Sequence, residues 1–141
     1  NIPICILSIQ MHMDGTHHFN VGRALSPLME DNVLIVGTRN ATNNLLELRL
    51  GTHDGVVPSW ALEFDGWLED RLTTGRFQDV NEFQKKAPHA ERAHPFSDHL
   101  YPLHVALGAA GENARAELIY RSWDLSTLSY AFYEFTSNTL I

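Results

Sequence analysis

Cysteine, basic charge and long apolar runs are scarce in this 141-residue chain. Its one cysteine, Cys5, can form no internal disulfide, and within an apolar stretch it is predicted to be a small buried hydrophobe rather than a nucleophile. Seventeen Asp and Glu against ten Lys and Arg give a formal charge of −7, which disfavours nucleic acid and anionic membranes as partners. No apolar run approaches the roughly 20 residues that span a bilayer. We therefore expect a globular, cytoplasmic protein.

Two apolar segments in the first third of the chain have the pattern of β-strands. Closely spaced isoleucines predict a strand over residues 2–10, and a continuous apolar run predicts an interior strand over residues 33–37. Between them, Asn20 is predicted to cap a helix over residues 20–30. The polar loop at residues 38–44 follows the second strand, at the end of the sheet where open α/β folds place their ligands.

The rest of the chain contains two predicted helices and two predicted strands. After a loop at residues 51–58, Ser59 is predicted to cap a helix that ends near Gly75. Its apolar stripe is predicted to pack in the core rather than to form a platform for an aromatic substrate: Trp60, Phe64, Trp67, Leu68 and Leu72. The later patterns predict one helix and two strands, at residues 97–110, 117–123 and 127–135.

Strands that alternate with helices predict an α/β fold, in which a layered sheet carries helices on its faces. The first strand pattern begins at residue 2 with no lead-in. A buried strand of that kind needs neighbours on both of its faces. We therefore expect residues 1–141 to be a fragment of a larger domain.

Eight histidines are the one compositional signal of a metal site, because neutral imidazole is a common ligand of transition metals. His89, His94, His99 and His104 recur every five residues. This spacing turns each ring by about 140° from the last, so the four cannot share one face of a helix. No HExxH zinc helix is present. Taken singly, each histidine is expected at the surface or satisfied in the core.

Four blocks of the sequence resemble one family of metal enzymes. Residues 94–113 are HPFSDHLYPLHVALGAAGEN, which resembles the block HPxxDHxYPLHVxxGAAGEN of plant extradiol DOPA dioxygenases. The supporting blocks are GTHHFNVGRAL, WALEFD and STLSY, at residues 15–25, 60–65 and 126–130. The resemblance covers nearly the whole chain. It identifies residues 1–141 as similar to the C-terminal half of a class III extradiol aromatic-ring dioxygenase.

This resemblance implies a non-haem Fe(II), with zinc as the alternative metal, that binds a catechol such as DOPA together with O₂. It assigns His99 as the metal ligand contributed by this half of the domain. The other ligand histidines of the family lie in an HGSP-like turn and an SAHW-like strand end, and neither motif is present. Because one ligand cannot hold a catalytic metal, the missing N-terminal half is expected to complete the metal site.

The loop at residues 38–44 departs from the family pattern. The family has Thr-His-Asn-Leu here, with a histidine that faces the metal as a proton shuttle or additional ligand, whereas residues 42–45 are TNNL. Asn43 therefore takes the place of the histidine. Asparagine does not titrate near neutral pH and cannot act as a general base. Arg39 stands where a small residue is usual, and both changes predict impaired turnover.

Two further histidines lie in the matched blocks. His18 is predicted either to line the pocket of the aromatic substrate or to tether its loop to the start of a helix. His94 is a candidate substrate-binding residue. The leading function is an extradiol dioxygenase homologue. The alternatives are a catalytically silent paralogue or truncated product that keeps the fold or a partner interface, and a metal-buffering module, which lacks a compact ligand cluster.

Overall fold

The structure is a computed structural model that describes residues 2–50 and 55–137. Its helices are α1 (Gly15–Leu25), α2 (Leu45–Leu50), α3 (Ser59–Thr73), α4 (Phe77–Asn81), α5 (Phe83–Lys86), α6 (Ala90–Ala93) and α7 (Tyr101–Ala110), with 3₁₀ turns at Ser26–Asp31 and Ser97–His99. Its strands are β1 (Arg115–Tyr120), β2 (Trp123–Asp124), β3 (Leu128–Ser129) and β4 (Phe132–Thr136). The predicted α/β class is confirmed as a mixture of helices and strands. The predicted loop at residues 51–58 lies partly outside the described residues.

The four strands form two separate antiparallel pairs, β1 with β4 and β2 with β3. The strands predicted at residues 117–123 and 127–135 are thus confirmed, each divided into a longer and a shorter piece. An isolated bridge joins Thr42 to Ser129 of β3. This bridge attaches the loop at residues 38–44 to the β2–β3 pair.

The strands predicted at residues 2–10 and 33–37 are not formed. Neither segment pairs with a strand among the described residues. The side chains of Ile2, Ile4 and Ile6 are 90%, 87% and 89% exposed. The prediction is wrong for this structure because a strand needs a second strand for its backbone groups and a core for its apolar face. The described residues provide neither for these two segments.

Helix α1 begins earlier than predicted because Asp14, and not Asn20, caps it. Asp14 Oδ1 accepts a hydrogen bond from the His17 N–H at 2.8 Å. The helix ends at Leu25, where a 3₁₀ turn takes over. The earlier start also changes the buried face, which consists of Gly15, His18, Phe19 and Gly22.

Helices α1 and α7 pack with their backbones in direct contact. A Cβ atom added at Gly22 would lie 2.1 Å from the Val105 carbonyl oxygen, and one added at Gly108 would lie 2.0 Å from the Phe19 carbonyl oxygen. Backbone atoms cannot give way as a flexible side chain would. Glycine is therefore required on both helices for this approach.

The core stripe predicted on α3 is confirmed. Trp60, Phe64, Leu68 and Leu72 are at most 3% exposed, and Trp67 packs at the margin of the same cluster. The helix is 15 residues long and ends before Gly75, which has a φ of +73°. Ser59 is its first residue and not its cap, because Pro58 takes the N-cap position and makes no side-chain cap hydrogen bond. None of the described helices combines the length and the apolar content needed to cross a bilayer.

Two of the three buried histidines among the described residues, His94 and His104, pack against aromatic rings of the core. His94 is 2% exposed and lies between the rings of Phe64 and Phe83, with centroid distances of 5.3 and 5.9 Å. Its Nε2–H donates to the Ala41 carbonyl oxygen at 2.7 Å. Burial lowers the pKa of His94 from 6.5 to about 4. The fully buried His104 lies 3.0 Å from two carbonyl oxygens, and burial lowers its pKa as well.

The lowered pKa of His94 predicts that stability falls as the pH decreases. Below pH about 6.5 the unfolded chain binds a proton at this histidine that the folded chain does not bind, so the loss extends from about 6.5 towards 4. The full difference corresponds to about 3 kcal/mol, since each pKa unit is worth about 1.4 kcal/mol. We expect urea unfolding between pH 6.5 and 4.5 to show this decrease. His94→Gln should reduce it and His89→Ala, at an exposed position, should not; an equal slope in all three proteins would contradict the prediction.

The contact between α1 and α7 predicts opposite effects of alanine at two helical glycines. Gly108→Ala forces a Cβ into the Phe19 carbonyl and should destabilise the protein by at least about 3 kcal/mol. The matched control is Gly66→Ala in α3, where a Cβ would meet nothing within 4 Å. Gly66→Ala should stabilise by about 0.5–1 kcal/mol, because alanine has the higher helix propensity. Denaturant midpoints measure both, and a small effect of Gly108→Ala would show that the helices can separate without cost.

Candidate functional site

The loop at residues 38–44 lies against the segment that carries His99. Just before the loop, a Cβ atom at Gly37 would lie 2.2 Å from the Pro102 carbonyl oxygen, so the chain passes directly over the start of α7. The Asn43 N–H donates to the Ala93 carbonyl oxygen at 2.9 Å, at the end of α6. His99 lies between these two points of attachment in the sequence.

The opposite side of the loop is attached to β3. The Ala41 N–H donates to the Ser129 carbonyl oxygen at 2.9 Å. Thr42 Oγ1–H donates to the Thr127 carbonyl oxygen at 2.7 Å and accepts from the Ser129 N–H at 2.9 Å. Residues 41–43 are therefore held by hydrogen bonds from both sides.

Asn43 is half-buried in this loop. Its Oδ1 accepts a hydrogen bond from Asn40 Nδ2 at 3.3 Å. The next residue, Asn44, donates through Nδ2 to the Arg92 carbonyl oxygen at 2.6 Å and caps α2 through Oδ1. A carboxamide at position 43 can donate and accept hydrogen bonds but cannot bind a proton near neutral pH.

His99 ends the second 3₁₀ turn and is partly buried. Its ring meets the Phe96 ring edge to face at a centroid distance of 6.4 Å. Its Nδ1 is buried and has no hydrogen-bond partner among the described residues. A buried imidazole nitrogen without a partner suits a ligand from outside the described residues. Within residues 2–50 and 55–137 no group of three or more His, Cys, Asp or Glu could hold a metal ion.

His18 uses both of its ring nitrogens within the protein. Nδ1–H donates to the Asp14 carbonyl oxygen at 2.7 Å, and Nε2 accepts from the Gln10 N–H at 3.2 Å. Burial lowers the pKa of His18, in keeping with this neutral tautomer. The ring also stacks on Tyr101 at a centroid distance of 4.3 Å. The predicted tether between loop and helix is thus present, and the pocket role stays a prediction.

His94 differs from His18 because only one of its ring nitrogens has a partner. While Nε2 bonds the Ala41 carbonyl oxygen, Nδ1 is buried and has no partner among the described residues. Through this hydrogen bond to Ala41, the His94 ring holds the loop at residues 38–44 in place. Contact with a substrate stays a prediction for His94, as does metal binding for His99.

An open cleft of about 590 Å³ lies beside this region. Its walls come from the turn before α1, from α5 and from the segment around the second 3₁₀ turn: Met11, His12, Met13, Asp14, Gln84, Pro95, Phe96, Ser97, Asp98 and Tyr101. None of the four predicted site residues is among them. Sequence analysis did not single out Tyr101, whose only signal was its place in the matched block at residues 94–113.

Comparison with known proteins places the whole chain in one family. Residues 1–136 match the family described as the catalytic LigB subunit of aromatic ring-opening dioxygenase. The chain is 52% identical over 140 residues to the protein named 4,5-DOPA dioxygenase extradiol of Beta vulgaris, a match that covers 97% of this chain and 50% of that protein. The protein of the same name from Portulaca grandiflora is 54% identical over 138 residues, with the same two coverages. The chain thus spans about half the length of these relatives.

A solved structure shows the same fold. The crystal structure of an uncharacterized protein from Escherichia coli K12 matches with a TM-score of 0.71 and 23% identity, over 88% of this chain and 51% of that one. Its similarity agrees with the family match, which includes the loop at residues 38–44 and the block at residues 94–113. Since that match extends over residues 1–136, the chain belongs to the family of the catalytic LigB subunit of aromatic ring-opening dioxygenases.

Proposed function

We propose that the protein is an extradiol dioxygenase that opens the ring of a catechol such as DOPA, and that residues 1–141 form one half of its catalytic domain. The observation that carries this proposal is the 52–54% identity to two plant proteins named 4,5-DOPA dioxygenase extradiol. In such a reaction the carbon–carbon bond beside the diol breaks and both atoms of O₂ enter the product, so no further reductant is consumed. The reaction is proposed to take place in the cytoplasm.

His99 is the residue of this chain proposed to bind the metal, Fe(II) or in its place zinc. When bound, such a metal supplies open coordination positions for the two catechol oxygens and O₂. The buried, unpartnered Nδ1 of His99 supports a ligand role for this ring. The remaining ligands are proposed to come from the half of the domain that the matched relatives have in addition.

Position 43 is proposed to face the bound catechol. Its backbone is held between β3 and α6, which favours a fixed side-chain direction. A histidine there could take a proton from a catechol hydroxyl and return it later, whereas Asn43 can only hydrogen-bond. His18 and His94 are proposed to border the substrate, His18 through the face of its ring and His94 through Nδ1. The exposed Arg39 adds a positive charge to the same loop.

The two unpaired apolar segments support the proposal that the domain continues beyond residues 1–141. Residues 2–9 and 33–37 have no regular secondary structure, and most of their apolar side chains are exposed. We propose that strands of the other half pair with them, which would form the two strands that the apolar patterns predict. That pairing would also cover the exposed isoleucines.

A catalytically silent paralogue is the second candidate function. The observation that favours it is Asn43, which stands where the family pattern has a proton-transferring histidine. Such a protein would keep the fold, or an interface with a partner, without turnover. Activity measurements on position 43 distinguish the two functions.

The role of His99 can be tested in a hybrid protein, in which residues 1–141 replace the matching half of the Beta vulgaris relative. His99→Ala should abolish Fe(II) retention after anaerobic loading, together with the absorbance of the ring-opened product in air, because a lost ligand leaves the metal loosely held. His89→Ala is the matched control, since His89 lies at the surface against Glu63 at 2.7 Å. If His99→Ala retains iron as well as His89→Ala does, His99 is not a ligand.

The role of position 43 can be tested in the same hybrid. Asn43→His should raise catechol turnover by about 10²–10⁴-fold, the usual contribution of general acid–base catalysis. Asn43→Gln is the control, because it keeps a carboxamide that cannot titrate. Measurable turnover of the unsubstituted hybrid, unchanged by Asn43→His, would exclude the base role. No turnover in either protein, with iron retained, would favour the silent paralogue.

A further inference from the structure

Thr42 is a buried residue next to the position proposed for proton transfer. Its side chain is 0% exposed, and its hydroxyl makes two hydrogen bonds to β3 and the residue that precedes it. Oγ1–H donates to the Thr127 carbonyl oxygen at 2.7 Å, and Oγ1 accepts from the Ser129 N–H at 2.9 Å. A valine of nearly the same shape could make neither bond. The hydroxyl therefore fixes the loop to β3.

Ser129 is hydrogen-bonded to Asp65, which belongs to a partly buried ionic network. Its Oγ–H donates to Asp65 Oδ1 at 2.5 Å. Asp65 Oδ2 pairs with Arg121 Nε at 2.7 Å, and Arg121 Nη2 pairs with Glu69 Oε2 at 2.6 Å. Burial raises the pKa of Asp65, and the Ser129 hydroxyl and the Arg121 guanidinium act against that rise. Asp65 is buried, whereas Arg121 and Glu69 are partly exposed. The Ser129–Asp65 hydrogen bond is therefore the buried contact that holds Ser129 in one arrangement.

Hydrogen bonds to the end of α6 and to His94 hold the loop on the side opposite β3. The Asn43 N–H bonds the Ala93 carbonyl oxygen at 2.9 Å, and His94 Nε2–H bonds the Ala41 carbonyl oxygen at 2.7 Å. Residues 41–43 therefore have fixed anchors on both flanks. Together these anchors determine the direction of the Cα–Cβ bond at position 43.

We propose that Thr42 is a positioning residue for the side chain at position 43, with Ser129 and Asp65 as its support. The proposal rests on the proposed function, in which position 43 faces the catechol. Proton transfer requires the two heavy atoms to lie about 2.6–3.2 Å apart. A displacement of about 1 Å can lower a rate by about 10²-fold. The network from α3 to the loop holds position 43 against such a displacement.

Hydrogen exchange in the 141-residue chain tests the structural part of the proposal. Thr42→Val should raise exchange of the Ala41 and Asn43 amides at least about tenfold relative to the Leu68 amide of the core, because the loop then opens locally. Thr42→Ser keeps the hydroxyl and should leave this ratio within about threefold of the parent. Asp79→Asn is the stability control, since it removes ion pairs with Arg71, Arg76 and Lys86 that lie away from the loop.

Kinetics of the hybrid protein test the functional part. In the Asn43→His background, Thr42→Val should lower kcat by about tenfold or more and leave KM within about threefold, whereas Thr42→Ser should leave both nearly unchanged. With Asn43 retained, Thr42→Val should lower kcat by less than about threefold, because no titrating group is displaced. Asp79→Asn should leave kcat unchanged well below the melting temperature. If Thr42→Val folds poorly, Ser129→Ala, which removes only the bond to Asp65, replaces it in both experiments.

Two results would overturn the proposal. One is an unchanged exchange ratio for the loop amides in Thr42→Val and Ser129→Ala. The other is an equal loss of kcat with and without Asn43→His, which would indicate a general effect on the fold rather than on position 43. A hybrid in which Asn43→His gives no gain in turnover refutes the base role of position 43 instead, and the exchange ratio then still decides whether Thr42 fixes the loop.

Discussion

The approach of α1 to α7 is the constraint on which the histidine-bearing region depends. Gly22 and Gly108 let the two backbones touch, so the register between the helices cannot slide by a residue without a clash. This register places His18 of α1 on the ring of Tyr101 at the start of α7, two residues after His99 in the sequence. The turn before α1 then lies beside Phe96 and Asp98, with which it lines the cleft. The glycine contact between α1 and α7 has no chemical role of its own, yet it determines where His18 and the turn before α1 lie.

Local patterns were sufficient for the elements whose partners lie within the described chain. The spacing of Trp60, Phe64, Leu68 and Leu72 predicted α3 and its buried face, because the core that covers this face is present. The same kind of pattern failed at residues 2–10 and 33–37, where the burial that it implies is not supplied by the described residues. The start of α1 was misplaced because Asp14 and Asn20 are both good cap residues, and only the structure shows which side chain reaches an amide.

In the candidate site too, local sequence motifs predicted some residues, whereas contacts between distant parts of the chain could not be predicted. Resemblance to a family picked out His99 and the departure at Asn43, since both fall in short motifs that can be compared along the sequence. The anchoring of the loop by Thr42 could not be found so, because its hydrogen bonds reach residues 85 and 87 positions away. A threonine between alanine and asparagine carries no local signal of such a contact. Ser129 lay in a matched block, but nothing in that block pointed to Asp65 as its partner.

Hydrogen bonding distinguishes the histidines that could bind a ligand from those that hold the fold together, which their number and spacing do not. His18 has a partner at each ring nitrogen, since its Nδ1–H donates and its Nε2 accepts. Both nitrogens of the fully buried His104 lie 3.0 Å from a carbonyl oxygen, and the neutral ring donates to one of them from its single N–H, so this residue is enclosed by the core. His17, His94 and His99 each keep one buried ring nitrogen without a partner among the described residues. Leaving such an atom unsatisfied costs about 1–3 kcal/mol, a cost that a ligand from outside the described residues would remove. Of these three, His94 and His99 flank the Pro95–Asp98 segment next to the loop at residues 38–44, where a ligand could supply the missing partner. His18 and His104 instead hold the turn before α1 and the helices in place.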